Sequence, residues 1–240
     1  MSDFTKFIFA SDLHGDQQDK EVVNELLKFT KDFKPDINIF GGDLFDFKAL
    51  RRGASEEDKS HSMVDDVNLG ISFLKLWKPK VFLNGNHDFF RLELLAESRD
   101  AVKSDLAIRL IGDINRECQA IKCVTYPYDK KLGIYKLGQL KMLHGYAHGI
   151  GATRKHGLVY GSCLHGHTHH IECVYIERHE KTVARSVGAL CQTSMPYNAA
   201  QIGTLRQQNG WAYGWVHKKS GNFYVAQAER IDGKWILPTI

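Results

Sequence analysis

Eight polar side chains of the kinds that hold metal ions or move protons stand at intervals along the first 169 residues. Asp12 and His14 come first, then Asp43, then Asn86 and His87, then His144, and last His167 and His169. Carboxylate, amide and imidazole groups together suit first-row divalent ions such as Mn, Fe, Co, Ni or Zn. No cysteine lies within these stretches, so no thiolate is expected in the set. Glycine accompanies the donors in Gly41-Gly42-Asp43, Gly85-Asn86-His87, His144-Gly145 and Gly166-His167-Thr168-His169, which permits tight turns and close approach of backbone to a ligand. His167 and His169, one residue apart, would project to one side of an extended backbone and reach a common centre.

The donors are far apart in sequence, and the elements between them predict how they meet. Residues 6–11, 37–41 and 80–84 are short apolar runs of buried-strand character, each running out into a donor group. Between them lie two helical patterns. One is marked by Val22, Leu26, Leu27 and Phe33, the other by Met63, Val64, Val67, Ile71, Leu74 and Trp77, with Ser55 and Asp58 placed as its capping box. This alternation predicts a parallel or mixed sheet covered by helices. Loops beyond the carboxyl ends of such strands converge on one crevice, which makes the scattered donors a single site.

Short alternating strands are predicted at 140–144, 163–165, 171–176, 182–187, 211–217 and 223–228, some joined by hairpins such as Lys219-Ser220-Gly221-Asn222. No Pro-rich linker, low-complexity tract or fixed-period repeat interrupts the chain, so residues 1–240 are expected to form a single domain. Trp211, Tyr213, Trp215, Phe223 and Tyr224 read as an aromatic face packed on the core in preference to a base-stacking platform.

A chain of 240 residues can bury about 70% of its unfolded surface. Its 43% hydrophobic and 25% charged residues exclude a disordered or fibrous protein. The net charge of +4 permits an anionic substrate but lacks the concentrated basic charge of a nucleic-acid tail. Five cysteines, odd in number and without a C-x-x-C pair, read as reduced thiols, mostly buried. No apolar run approaches the ~18 to 20 residues that span a bilayer, and no leader with a cleavage site follows Met1. A soluble cytoplasmic protein without membrane contacts is expected.

Five blocks occur in order: Asp12-Leu13-His14, Gly42-Asp43, Gly85-Asn86-His87-Asp88, His144-Gly145 and Gly166-His167-Thr168-His169. In these the chain resembles the calcineurin-like metallophosphoesterase family. The resemblance implies an α/β fold of four layers, α/β/β/α, with two mixed sheets flanked by helices. It implies two divalent ions, Mn first with Zn, Fe, Ni or Co possible. One would be held by Asp12, His14, Asp43 and His169, the other by Asp43, Asn86, His144 and His167, with Asp43 as the bridge. By the same likeness His87 is the acid that meets the leaving oxygen, and Asp46 the carboxylate that orients it. Such a pair of ions clamps phosphate oxygens and acidifies a water for in-line attack on phosphorus.

Several residues keep two readings. His148 rivals His144 as a ligand in Leu143-His144-Gly145-Tyr146-Ala147-His148, with His144 favoured because it directly ends an apolar strand. Asp88 reads equally as an active-site carboxylate and as the N-cap of a helix beginning at Phe89. Arg51 and Arg52, and more weakly Lys48, read as substrate-phosphate contacts or as a solvated loop. His165 and His170 are assigned to core or solvent, and His61, His156, His179 and His217 to no role.

The expected activity is dinuclear phosphoester hydrolysis, with phosphodiesters slightly preferred (a nuclease or nucleotide phosphodiesterase) over small phosphomonoesters or pyrophosphates. The expected partner is therefore a phosphorylated anion, a nucleotide or nucleic acid included. A non-catalytic scaffold is the competing class, and the presence of every presumed ligand with His87 and Asp46 argues against it. Phosphoprotein phosphatases carry Arg directly after the carboxylate that pairs with the catalytic His, where this chain has Phe47.

Overall fold

Alternate residues of the first strand, β1 (Phe4–Ala10), face different neighbours, and the two main cores follow from that alternation. Ile8 and Ala10 pack beneath helices, whereas Phe7 and Phe9 pack against a second sheet. The computed structural model describes residues 3–50, 54–177, 180–193 and 206–237.

Three strands continue from β1 in parallel: β2 (Ile37–Phe40), β3 (Val81–Leu83) and β4 (Val124–Tyr126). The other edge of this sheet is antiparallel and comes from the end of the chain, as β10 (Gly210–His217), β11 (Phe223–Ile231) and β12 (Lys234–Ile236). The order is β12-β11-β10-β1-β2-β3-β4. The second sheet holds β5 (Ile134–Leu137), β6 (Leu140–Leu143), β7 (Cys163–His165), β8 (Ile171–Ile176) and β9 (Thr182–Val187). Its order is β5-β6-β7-β9-β8, parallel in the middle and antiparallel at both edges. The late strands are thus divided between the two sheets.

Helices α1 (Lys20–Phe33), α3 (Met63–Trp77) and α5 (Ala101–Ala120) bury Leu26, Phe29, Phe33, Phe73, Leu74, Trp77, Leu110 and Ile114 against the outer face of the seven-stranded sheet. Each large apolar side chain so buried contributes roughly 1.5–3 kcal/mol. Between the sheets, Phe7, Phe9, Ile39, Val81 and Leu83 meet Leu140, Met142, Leu164 and Val187. Helix α6 (Ala152–Tyr160) covers the far face of the second sheet, where a side chain at Gly157 would strike Ile176 and Ala184. The architecture is an α/β sandwich of two mixed sheets with flanking helices, and among the described residues the layer over the second sheet is one nine-residue helix.

Local chemistry sets the helix starts. Asp19 accepts the N–H groups of Glu21 and Val22 and opens α1. The capping box of Ser55 and Asp58 departs from expectation, since it closes on a separate short helix, α2 (Glu56–Ser60). The chain turns at His61 and α3 is capped afresh by Ser62, which accepts from Asp65 N–H. The remaining helix, α4 (Phe89–Ala96), begins directly after the third block. Trp211 and Tyr213 are buried against Phe29 and Phe33, so these two aromatics are core, while Tyr224 is exposed. The five cysteines are free, and all but Cys173 are buried. No helix among the described residues is long and apolar enough to cross a membrane.

Candidate dinuclear metal centre

The loops after β1 and β2 are zipped together by their backbones. Asp12 N–H donates to the Gly42 carbonyl at 2.9 Å, Leu13 and His14 N–H to the Asp43 carbonyl at 2.9 and 3.0 Å, and Gly15 N–H to the Leu44 carbonyl at 2.9 Å. Asp12, His14 and Asp43 are therefore held side by side. A third loop joins them through Asp88, whose carboxylate accepts the N–H groups of Asp43, Leu44, Phe45 and Gly85 at 2.7–3.1 Å. Asp88 occupies the N-cap position of α4 without capping it. The N-cap reading holds for its position but not for its side chain, which is a staple between the second and third blocks.

Space is tight where these loops meet. A Cβ on Gly42, at φ +100°, would lie 2.5 Å from His144 Nδ1, and one on Gly85 would lie 2.1 Å from an Asp43 oxygen. Five donors themselves have left-handed backbone: Asp12, His14, Asp43, His167 and His169, with φ between 51° and 68°. Such φ values are uncommon outside glycine and cluster at functional sites. They also correct the expectation that an extended backbone aims His167 and His169 to one side. Both residues are left-handed, and the two rings diverge to different neighbours.

On one side, His14 Nε2 and His169 Nε2 are 3.1 Å apart, and His169 Nε2 is 3.3 Å from Asp12 Oδ1. On the other, His144 Nε2 is 3.1 Å from Asn86 Oδ1, and the His144 and His167 rings lie 5.0 Å apart, centroid to centroid. Asp43 Oδ2 lies between the two sides, 3.3 Å from His144 Nε2 and 3.8 Å from His14 Nε2. Two ligands each about 2.0–2.2 Å from one ion are separated by roughly 3 Å. The spacings of His14, His169 and Asp12, and of His144, Asn86 and Asp43, therefore fit divalent ions. Two cations bound there would neutralise phosphate oxygens and acidify a water for attack.

Hydrogen bonding fixes the ring orientations. A carbonyl only accepts, so His144 Nδ1, 2.8 Å from the Gly41 carbonyl, carries a proton and turns Nε2 inward. His14 does the same through Nδ1, 3.1 Å from Asp46 Oδ1. Burial opposes a charge on either ring, but for His14 the contacts with Asp46, Cys191 and Asp43, and for His144 those with Asp43 and Asp12, outweigh it and push each up to about 9. His167 is pulled down to about 3 by burial and by His144. Asp43 is buried, yet His144, His87 and His14 hold its carboxyl well below the usual range. Metal uptake at His14 and His144 would thus displace protons and strengthen as pH rises.

Asp46 is shared. Its carboxylate is 3.1 Å from His14 Nδ1 and 3.7 Å from His87 Nδ1, and the closer contact of His87 is with the Asp46 carbonyl at 3.1 Å. The backbone of Asp46 is anchored in turn by Asp66 of α3, which accepts from Asp46 and Phe47 N–H. The backbone N–H of His87 donates to Asp43 Oδ1 at 2.9 Å, so the residue expected to be the acid sits against the carboxylate expected to bridge. His148 Nδ1 lies 2.7 Å from His167 Nε2, beside the second group.

Arg51 and Arg52 lie outside the described residues, and Lys48 lies 3.9 Å from Asp16. His165 is buried in the core, where Nδ1 donates to the Gly166 carbonyl and Nε2 accepts from Thr153. His170 lies beside Glu172. Besides Asp66, three contributors were not anticipated. Arg91 donates to the carbonyls of Asn86 and Leu50. His156 Nε2 accepts from Tyr146 and Ala147 N–H and so holds the loop after β6. Cys191 brings its thiol to 3.7 Å from His169 Nδ1, so a sulfur that the sequence did not place near the site lies beside one of its rings. Arg91, one helical turn beyond His87, had a local signal, whereas Cys191 and His156 had none.

The carboxylates and imidazoles gathered at the strand ends of a two-sheet α/β sandwich form groups that could hold metal ions. Residues 5–186 match the calcineurin-like phosphoesterase family, and the chain belongs to it. No curated protein sequence matches the chain. Among solved structures it is similar to vacuolar protein sorting 29 of Cryptosporidium parvum, at 13% identity over 97% of this chain and 95% of that one, TM-score 0.46. It is also similar to Vps29 of Entamoeba histolytica complexed with zinc, at 10% identity over 96% of each chain, TM-score 0.49. A third is YfcE, a phosphoesterase from E. coli, at 13% identity over 92% of this chain and 97% of that one, TM-score 0.42.

Proposed function

We propose that the chain is a two-metal phosphoesterase that hydrolyses phosphodiesters, nucleotides or nucleic acid among them, with small phosphomonoesters or pyrophosphates as the second substrate class. One observation carries this reading: the Asp43 carboxylate sits between two groups of inward-facing imidazoles, 3.3 Å from His144 and 3.8 Å from His14. Asp12, His14 and His169 would share Asp43 with Asn86, His144 and His167, each group holding one ion, Mn being the first choice for nitrogen and oxygen donors. Arg51 and Arg52 are assigned to substrate phosphate. The free cysteines suit a cytoplasmic setting.

His87 is assigned to the leaving group. Its Nδ1 faces the Asp46 carbonyl and carries a proton in either charge state, so the transferable proton belongs to Nε2. Burial holds the ring below its ordinary value against the pull of Asp43 and Asp46. Turnover of esters with poor leaving groups should therefore fall as pH rises through a value below 6.5. The deciding experiment is an assay of the Mn-loaded protein against phosphodiesters, monoesters, pyrophosphate and DNA, with a chelated control. Diester hydrolysis that disappears on chelation and returns with metal supports the reading. A protein that binds two ions and turns over none of these substrates is a scaffold.

A further inference from the structure

The imidazole of His169 has neighbours on both sides. Nε2 faces His14 and Asp12, at 3.1 and 3.3 Å, and so faces the centre. Nδ1 lies 3.7 Å from Cys191 Sγ. That thiol is 3% exposed and forms a close cluster with His14 and His169. The two nitrogens of an imidazole point in widely different directions. A group beside Nδ1 therefore lies behind the ring when Nε2 faces an ion.

The same relation holds at two other histidines of the site. The outer N–H of His144 donates to the Gly41 carbonyl, and that of His14 to Asp46. What the outer nitrogen touches fixes both tautomer and ring orientation in a metal-ligating histidine. At His169 sulfur stands where the other two rings have oxygen.

Cys191 is itself held against the segment that carries Asp12 and His14. The N–H of Leu190 reaches the carbonyls of Ser11 and Asp12, each at 3.1 Å, and Gln192 N–H donates to the Gln17 carbonyl at 2.9 Å. Asn209 Nδ2 donates to the Cys191 carbonyl at 2.7 Å. The thiol and the donors it backs thus belong to one hydrogen-bonded unit.

Resting on the metal-centre reading above, we propose that Cys191 is a positioning residue whose sulfur accepts the Nδ1–H of His169, fixing the tautomer that turns the Nε2 lone pair toward Asp12 and His14. Cys191 is not a ligand in this arrangement. It acts through His169, and its removal should loosen one ion and spare the other.

The test uses the full chain and three measurements. In the zinc-loaded wild type, nitrogen-15 spectra of labelled histidine should find the His169 proton on Nδ1. By chelator competition, Cys191→Ala should weaken one of two zinc equivalents by roughly 10- to 100-fold and leave the other unchanged. Cys191→Ser, whose hydroxyl also accepts, should recover most of that loss. Third, the cobalt-loaded wild type should show no sulfur-to-metal charge-transfer band.

A band that vanishes in Cys191→Ser would make the thiolate a ligand and overturn the proposal, as would a His169 proton on Nε2. Wild type binding two equivalents while Cys191→Ala binds both as tightly overturns this inference alone. Wild type taking up no metal overturns the metal-centre reading and this inference with it. If Cys191→Ala does not fold, the tautomer in the wild type decides.

Discussion

The two halves of the proposed centre are made of similar residues but do not carry the same charge. Asp12, His14 and His169 share Asp43, so that half has two carboxylates, with the Cys191 thiol behind it. Asn86, His144 and His167 share the same Asp43 but add only a neutral amide, and their neighbour is the imidazole of His148. A divalent ion in the first half meets twice the formal negative charge. Bridged sites of this kind can therefore combine a firmly held ion with an exchangeable one, and the choice between Asp and Asn at one position sets which is which.

Asp43→Asn should have the largest effect, because it removes the one carboxylate that both halves use. Elemental analysis should find less than one equivalent of metal, and the loss of turnover should exceed the roughly 10²- to 10⁴-fold typical of losing a single proton donor. A variant that keeps two equivalents would break the comparison at its centre.

His87→Asn should cost roughly 10²- to 10⁴-fold with an alkoxide-like leaving group and far less with a nitrophenyl ester, with metal content unchanged. Rates across esters of graded leaving-group pKa measure this. Equal losses along the series would remove His87 from proton transfer and put it among the groups that shape the halves.

A smaller effect separates the halves directly. During chelation the wild type should release its ions in two steps, and Asp12→Asn should weaken the tighter one at least roughly tenfold, bringing the steps together. The amide oxygen of Asn can still accept the His167 N–H that Asp12 accepts now. Two steps that stay as far apart as before would show that charge does not distinguish the halves.

The smallest expected effect is on stability and tests the support behind the second half. Burial, then His144, holds His156 at about 4, below its ordinary 6.5. The unfolded chain then binds the proton first, so this contribution is intact above pH 6.5 and is lost as pH falls from 6.5 to 4. The loss is at most about 3 kcal/mol, and denaturant unfolding at pH 7.5 and 5 measures it. His156→Gln, which cannot titrate, should flatten the slope; an unchanged slope would assign the acid sensitivity elsewhere.

The sequence was most legible where chemistry and periodicity coincide. Each donor block lies at or just beyond a strand end, because an apolar run that buries itself must surface in a polar loop, and in a mixed α/β sheet those loops converge. Sheet membership was not legible. Period-two alternation marks β10 and β11 as strands, but only tertiary packing sends them back to pair beside β1 and not with β8 or β9. Helix α5 hid for a related reason: its buried Ala107, Leu110, Ile114 and Cys118 form a narrow stripe among many polar residues. The roles of Asp88 and Cys191 depend on backbone groups and rings brought from distant loops, and nothing beside them in sequence announces that.

The left-handed donors have a consequence for how this site can drift over generations of mutation. Branched and bulky side chains are disfavoured at φ near +60°, while Asn, Asp, His and Gly are tolerated. Three of those four offer oxygen or nitrogen to a metal. At Asp12, His14, Asp43, His167 and His169 the backbone thus screens replacements before any metal does, and most that pass still carry a donor atom. The shape of the chain keeps the chemistry recoverable, so a lineage that loses one ligand can return to a working one by a neighbouring substitution without rebuilding the loop.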